Sequence, residues 1–170
     1  MKICMIGTGY VGLVSGTCFA DIGNQVFCVD KDLVKIKKLN SGISPIYEPG
    51  LDELIQKNFK ANRLFFTTDL KKAITASDII FICVGTPNVK RSLKVDLSFV
   101  YKCTKEILSI SKSKKIIVTK STVPVGTGDE IEKIIKKKNK LFTVVSNPEF
   151  LREGEAIRDF RYPDRIVIGS

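Results

Sequence analysis

Histidine and tryptophan are both missing from the 170 residues of the chain. Without histidine, the chain cannot by itself form a Ser-His-Asp triad, a Cys-His pair or a histidine-ligated metal centre, and we predict no metal site. No apolar run approaches the ~20 residues of a transmembrane helix, so we predict no membrane partner. Three glycines and several polar residues interrupt the apolar stretch near the N terminus, which argues against a signal peptide. With 44 % hydrophobic and 27 % charged residues, the composition is that of a folded globular domain.

The chain also lacks a CxxC pair, and its five cysteines are an odd number. Four of them have apolar neighbours in the sequence, as buried reduced thiols do: Cys4, Cys18, Cys28 and Cys83. Disulfides are rare in reducing compartments. We therefore predict a cytoplasmic protein.

The formal net charge of +10 suggests a nucleic-acid or membrane-surface partner, but its distribution argues against both. Most of the excess is lysine, placed singly or in pairs on the solvent faces of predicted helices. The densest run, Lys136–Lys138 with Lys133 and Lys140, has no interleaved aromatic residues and little arginine. A solvated helix face is therefore favoured over a groove for a phosphate backbone, and we predict no nucleic-acid partner.

Apolar strand-like runs alternate with helix-like stretches along the whole chain. The predicted strands are Ile3–Ile6, Gln25–Val29, Leu64–Thr67, Asp78–Val84, Lys115–Thr119, Phe142–Val145 and Arg165–Ile168. The predicted helices are Tyr10–Ile22, Leu33–Leu39, Leu51–Phe59, a segment around Ala73, Asp96–Ile110, a segment from Gly126 and a short one near Glu153–Ile157. This alternation is typical of a doubly wound, mostly parallel α/β sheet of the Rossmann type with helices on both faces. We predict one such domain over residues 1–170.

The first predicted strand runs directly into Gly7-Thr8-Gly9-Tyr10-Val11-Gly12, a GxGxxG that opens a helix. In dinucleotide folds the first glycine permits a tight turn, the second lets the backbone approach a pyrophosphate, and the third permits close packing of helix on strand. Asp30 ends the next strand, 18 positions beyond Gly12. An acid there accepts hydrogen bonds from the adenosine ribose and repels a 2′-phosphate, which predicts NAD rather than NADP. Lys35 is a candidate cofactor contact, with a plain surface lysine as the equal alternative.

Three further loops follow predicted strands, at the sheet edge where ligands bind in such folds. Two of them contain a proline and carry Thr86 and Thr122, for which turn formation or helix capping is an even alternative to binding. The third, 146–154, carries Glu149 and Glu153, which share one face if the segment is helical. Paired carboxylates at a ligand site can perform acid–base chemistry. The alternative for Glu153 is an ordinary glutamate in the first turn of a helix.

Together these motifs resemble the nucleotide-sugar dehydrogenase family, the UDP-glucose/GDP-mannose dehydrogenases. The resemblance extends from the first residue to the last. The matching segments are Gly7–Leu13 (GTGYVGL), Asp30, Pro45–Leu54 (PIYEPGLDEL), Val84–Pro87 (VGTP), Ser121–Gly128 (STVPVGTG), Asn147–Gly154 (NPEFLREG) and Pro163–Gly169 (PDRIVIG).

The resemblance implies oxidation of the C6 alcohol of a nucleotide sugar to a carboxylate, with two NAD⁺ used in turn. Tyr47 and Gly154 favour UDP-glucose as the substrate, with GDP-mannose or a UDP-N-acetyl sugar as alternatives. The implied NAD contacts within the glycine turn are Gly7, Gly9, Tyr10, Val11 and Gly12. Those elsewhere are Asp30, Lys35, Thr86, Thr122 and Glu153. The implied sugar-nucleotide contacts are Glu149, Phe150, Leu151, Arg152 and Glu153. Thr122 and Glu149 are the implied residues that position or activate a water.

The resemblance also implies that the natural polypeptide continues past Ser170. The family's nucleophilic cysteine and catalytic lysine lie in a linking helix and a second, sugar-nucleotide domain, and the family forms homodimers through that helix. We therefore expect no turnover from this chain alone and interpret Cys83 as a core residue rather than a nucleophile. A stand-alone dinucleotide-binding module is the alternative from another functional class.

Overall fold

The computed structural model describes residues 1–89, 95–137 and 142–170. These described residues contain six strands: β1 Lys2–Ile6, β2 Gln25–Val29, β3 Leu64–Thr67, β4 Ile79–Ile82, β5 Lys115–Thr119 and β6 Phe142–Ser146. They form one sheet in the order β3-β2-β1-β4-β5-β6, and every neighbouring pair is parallel. Strands β1 to β3 are added toward one edge of the sheet and β4 to β6 toward the other. The order of strands therefore reverses between β1 and β4, and ligands bind at such a switch point. The predicted doubly wound Rossmann-type fold is confirmed.

Helices cover both faces of the sheet. They are α1 Tyr10–Asp21, α2 Leu33–Asn40, α3 Leu51–Lys60, α4 Leu70–Ala76, α5 Ser98–Ile110, α6 Thr127–Lys136 and α7 Ala156–Arg161. Alternate residues of β1 enter opposite cores, with Met5 packed in the core of α1 and α3 and Cys4 in the core of α5 and α6. Because both faces of the central strands β1 and β4 are buried, their sequences are apolar almost throughout.

Aspartate side chains define the starts of two helices. Asp32 precedes α2 and accepts hydrogen bonds from the amides of Val34 and Lys35, and Asp69 precedes α4 and accepts one from Lys72. Each carboxylate satisfies amide groups that have no acceptor within the helix. These caps fix where α2 and α4 begin, directly beside the carboxyl ends of β2 and β3.

The predicted strand Arg165–Ile168 is wrong. Residues 165–168 form no strand, and one antiparallel bridge, between Ser146 at the end of β6 and Gly169, follows directly after them. Ile166 and Ile168 are each 69 % exposed rather than buried. One isolated bridge does not make a strand, and the two exposed isoleucines pack in neither core of the sheet. An apolar run alone does not reveal that geometry.

The lysine-rich run at the end of α6 is only partly described. Lys133 and Lys136 lie exposed in its last turn, and Lys136 pairs with Glu132 at 2.9 Å. Lys138 and Lys140 lie outside the described residues. Over the described ranges, no helix has both the length and the apolar character that a membrane crossing requires.

Candidate functional site

The turn after β1 has room for glycine alone at two positions. Gly7 has a φ of +101°, and a Cβ there would lie 2.6 Å from the carbonyl oxygen of Cys83. A Cβ on Gly12 would lie 2.0 Å from the carbonyl oxygen of Gly7. The first glycine therefore permits the turn, and the third permits the close packing of α1 against it.

Gly9, between them, faces open space. A Cβ on Gly9 would meet no protein atom within 4 Å, and this exposed residue directly precedes α1. The amides at the start of α1, in Tyr10–Gly12, have no acceptor within the helix and lie at its positive end. An open backbone beside free amide donors is the arrangement that binds a phosphate group. The turn therefore fits the pyrophosphate of a dinucleotide.

Asp30 follows β2 and is held from several sides. One carboxylate oxygen, Oδ2, accepts hydrogen bonds from the Thr8 amide at 3.0 Å, the Thr8 hydroxyl at 2.7 Å and the Lys35 ammonium at 2.9 Å. The other oxygen accepts one from the amide of Asp32. Burial raises the pKa of Asp30, but these bonds outweigh it and lower the pKa to about 2. The carboxylate is therefore ionised and fixed beside the turn.

A cleft of about 840 Å³ lies in front of the turn and Asp30. Five of the predicted cofactor residues line it: Gly7, Gly9, Asp30, Lys35 and Thr86. Leu70 from α4 and Phe99 from α5 add apolar surface, and the Lys31 ammonium lies 5.4 Å from the centre of the Phe99 ring. The cleft thus combines a carboxylate, backbone donors and an apolar wall, as nucleotide sites do.

The loops after β4 and β5 are joined by hydroxyl groups. The Thr86 hydroxyl donates to the carbonyl oxygen of Thr122 at 2.9 Å, and the Ser121 hydroxyl donates to that of Val84 at 2.7 Å. Thr122 is exposed, and no hydrogen bond in the described part of the chain joins it to Glu149. The structure therefore brings Thr86 and Thr122 together at the sheet edge, with Thr122 outside the wall of the cleft.

A second cavity, of about 600 Å³, lies where β5 and β6 end. The predicted substrate segment lines it with Glu149, Phe150, Leu151 and Arg152 but not with Glu153. Arg152 is already paired, since its guanidinium contacts Asp159 at 2.6 Å and Glu155 at 2.9 Å. The pair with Asp159 attaches the loop to α7.

Glu149 and Glu153 do not share a helical face. The short helix that was expected near Glu153 begins at Ala156, because the turn before it contains Gly154 with a φ of +89°. Glu149 instead accepts a hydrogen bond from the amide of Leu151 at 2.6 Å, and Glu153 is exposed. The premise of a helical carboxylate pair is wrong, although both residues remain in one loop.

Lys120 is a residue of this region to which the sequence analysis gives no role. It is only 7 % exposed, lines the second cavity with Glu149, and donates to the Asn147 side-chain oxygen at 3.2 Å. Burial lowers the pKa of its ammonium group. Because Thr119 pairs with Ser146 in the sheet, Lys120 and Asn147 are necessarily neighbours. A charged residue directly after a buried strand was the available signal.

Comparison with known proteins agrees with this geometry. Residues 1–170 match the profile of the UDP-glucose/GDP-mannose dehydrogenase family, NAD binding domain. The chain belongs to this family. It is 60 % identical to UDP-glucose 6-dehydrogenase of Rhizobium meliloti (strain 1021). The aligned region covers 99 % of the chain and 39 % of that protein. It is 56 % identical to UDP-glucose 6-dehydrogenase TuaD of Bacillus subtilis (strain 168), with coverages of 99 % and 37 %.

Solved structures of the family have the same fold. A ternary complex of GDP-mannose dehydrogenase from Pseudomonas aeruginosa superimposes with a TM-score of 0.93 at 41 % identity, over 99 % of this chain and 41 % of that one. The family's NAD-binding domain is thus the unit that these residues form. The chain spans about two fifths of the length of the curated relatives that it matches.

Proposed function

We propose that the chain is the cofactor-binding part of a UDP-glucose 6-dehydrogenase. The observation that carries the proposal is the pair of cavities on one edge of the sheet, one containing Asp30 and the glycine turn and the other containing Glu149 and Lys120. The names of the relatives with 60 % and 56 % identity support UDP-glucose as the sugar nucleotide. GDP-mannose is the second candidate, because a GDP-mannose dehydrogenase is among the structures with the same fold.

The reaction converts the C6 alcohol of the sugar to a carboxylate, which is a four-electron oxidation. Two hydrides leave C6, each taken up by one NAD⁺, and one water supplies the second carboxylate oxygen. Three protons are released for each carboxylate and two NADH formed. In each turnover the chain must therefore bind two NAD⁺ molecules in succession. A group at the sheet edge where Glu149 lies must also accept protons from the reacting groups.

The cofactor residues have separate tasks in this proposal. The backbone at Gly7 and Gly9 and the first amides of α1 bind the pyrophosphate. Asp30 accepts hydrogen bonds from the adenosine ribose. To make room for the ribose hydroxyls, the Lys35 ammonium moves away from Oδ2, which it contacts at 2.9 Å. Thr86, Thr122 and Glu153 complete the contacts toward the nicotinamide, which supplies the hydride-accepting carbon.

The sugar side uses the residues of the second cavity. Glu149 accepts a proton from water or alcohol, and the Thr122 hydroxyl orients the water. Phe150, Leu151 and Arg152 contact the sugar nucleotide along the same loop. The Lys120 ammonium adds a positive charge in the same cavity as Glu149, where it stabilises negative charge on a reacting oxygen.

The remainder of the enzyme lies outside this chain in the proposal. A linking helix and a sugar-nucleotide domain supply the nucleophilic cysteine and the catalytic lysine, and the linking helix pairs two copies as a homodimer. The five free, buried thiols of this domain fit a reducing, cytoplasmic setting.

The test is an assay of the polypeptide in which this domain is joined to the remainder. We expect two NADH for each UDP-glucose consumed, and lower kcat/KM with GDP-mannose and with UDP-N-acetylglucosamine. Glu149→Gln should lower kcat while the affinity of the domain for NAD⁺ stays within twofold. Faster turnover of GDP-mannose than of UDP-glucose would contradict the proposed substrate. One NADH for each sugar would contradict the proposed oxidation to a carboxylate.

A further inference from the structure

Glu48 is a buried carboxylate that lines neither cavity. It lies in the Pro45–Leu54 motif, before α3, and is 6 % exposed. No lysine or arginine of the described ranges forms an ion pair with it. Its oxygens accept instead from the Tyr10 hydroxyl, from the Gly154 amide at 2.8 Å and from the Ile157 amide at 3.2 Å. Burying a carboxylate without a cation is unfavourable, so this arrangement requires an explanation.

Tyr10 connects Glu48 to the loop of the second cavity. It is the first residue of α1, so its backbone belongs to the turn that fits a pyrophosphate. Its hydroxyl accepts a hydrogen bond from the Gly154 amide at 2.9 Å and lies 3.3 Å from the carbonyl oxygen of Arg152. One phenol group thus joins the start of α1 to a loop 142 to 144 residues away in the sequence.

The contacts of Tyr10 enclose a single residue. The carbonyl of Arg152 belongs to the peptide group before Glu153, and the amide of Gly154 belongs to the peptide group after it. The Tyr10 hydroxyl and Glu48 share the Gly154 amide as a donor, and the Arg152 carbonyl oxygen lies 3.3 Å from the same hydroxyl. The backbone of Glu153 therefore has a defined position relative to the turn, although its side chain is exposed.

We propose that Glu48 and Tyr10 are positioning residues that couple the dinucleotide turn to the Glu149–Gly154 loop. The inference rests on the proposed function, in which the turn binds NAD and the loop contacts both NAD and the sugar. A ligand that settles on the amides of α1 fixes Tyr10 and thereby the backbone at Glu153. By thermodynamic linkage, a ligand on the loop favours the same arrangement of the turn.

The test compares NAD⁺ with ADP, which occupies the turn and Asp30 but has no nicotinamide riboside to reach the loop. Glu48→Gln puts an NH₂ group where carboxylate oxygens face hydrogen-bond donors. We expect calorimetry to give an affinity of this variant for NAD⁺ about tenfold weaker and an affinity for ADP within twofold of the unmodified chain. A general destabilisation of the fold would lower the affinities for NAD⁺ and for ADP by the same factor, and that result would contradict the coupling.

Tyr10→Phe is the second variant, and it leaves Glu48 bonded to the amides of Gly154 and Ile157. It should show the same selective loss for NAD⁺, about three- to tenfold. The matched control is Tyr101→Phe, since the Tyr101 hydroxyl donates to Glu130 between α5 and α6 and neither residue lines a cavity described above. This control should leave both affinities unchanged.

Hydrogen exchange of the Gly154 amide gives a second readout. NAD⁺ should slow it in the unmodified chain and in Tyr101→Phe, and should slow it much less in Glu48→Gln. Equal NAD⁺ affinities for the unmodified chain, Glu48→Gln and Tyr10→Phe would overturn the coupling alone. If the unmodified, folded chain failed to bind NAD⁺, the proposed function and this inference would both be overturned.

Discussion

Thr8 binds Asp30 twice, through its backbone amide at 3.0 Å and its hydroxyl at 2.7 Å, and both bonds end on the same carboxylate oxygen. Thr8 belongs to the glycine turn after β1, and Asp30 follows β2. The turn expected to bind the pyrophosphate and the carboxylate expected to bind the adenosine ribose therefore fix each other's position without a ligand. Such preorganisation reduces the entropy lost on binding.

The depressed pKa of Asp30 predicts a specific dependence of stability on pH. The pKa falls from 3.8 in the unfolded chain to about 2 in the folded one, so the ionised carboxylate stabilises the fold above pH 4. That contribution is lost as the pH falls through 2. Asp30→Asn should lower the free energy of unfolding by about 1–2 kcal/mol at pH 7, allowing for solvent screening.

Urea unfolding at pH 7, 4 and 2.5 measures this difference. The difference should be nearly as large at pH 4 as at pH 7, and it should fall to less than half of that value at pH 2.5. Asp129→Asn is the matched control, because Asp129 is exposed in the first turn of α6 and its loss should change stability by less than about 0.5 kcal/mol. A deficit for Asp30→Asn that is the same at all three pH values would show that the charge is not what stabilises the fold.

Alanine substitutions at Gly12 and Gly9 should affect different properties, the first the stability of the fold and the second the affinity for NAD⁺. Gly12→Ala creates a contact of 2.0 Å with the Gly7 carbonyl oxygen and should destabilise the fold by about 3 kcal/mol. Gly9→Ala meets nothing within 4 Å and has a φ of −70°, so stability should change by less than about 1 kcal/mol. Its new methyl group should nevertheless weaken NAD⁺ binding at least tenfold. Strong NAD⁺ binding by Gly9→Ala would show that the pyrophosphate does not approach this backbone.

Local patterns were sufficient to predict the sheet, the glycine turn and Asp30. A strand, a glycine turn and a helix follow one another directly, and Asp30 follows at a fixed spacing, so neighbours along the chain carry the information. The roles of Lys120 and Glu48 could not be derived in that way. Their roles depend on Asn147, 27 residues from Lys120, and on Gly154, 106 residues from Glu48, contacts that exist only once strand order and register are known.

The buried Lys120 ammonium should lower the stability of the fold at pH 7, and we attribute its presence to the proposed function. Its lowered pKa means that the unfolded chain binds the proton more tightly, so the charged group opposes folding at pH 7. Lys120→Met should therefore be neutral or raise the free energy of unfolding by up to about 1 kcal/mol at pH 7. The gain should diminish as the pH rises toward 10.5. Guanidinium unfolding at pH 7 and 10 tests this, and destabilisation of more than about 2 kcal/mol at both pH values would contradict it.

The five thiols should be inert while the domain is folded. All five are buried and free. Burial raises the pKa of both Cys18 and Cys83 to about 12 and that of Cys103 to about 11, so almost no thiolate exists at pH 7.5. Iodoacetamide should add nothing to the native chain and five groups to the chain in guanidinium, as measured by intact mass. Rapid modification of native Cys83 would reopen its assignment as a core residue.

Calorimetric titration of the chain with NAD⁺ and NADP⁺, repeated on Asp30→Ala, tests the central claim most directly. The account predicts that NAD⁺ binds and that NADP⁺ binds at least tenfold more weakly, because the Asp30 carboxylate repels a 2′-phosphate. Asp30→Ala should weaken NAD⁺ binding and narrow the gap between the two cofactors. Equal affinities for NAD⁺ and NADP⁺ in the unmodified chain, or NAD⁺ binding that Asp30→Ala leaves unchanged, would contradict it.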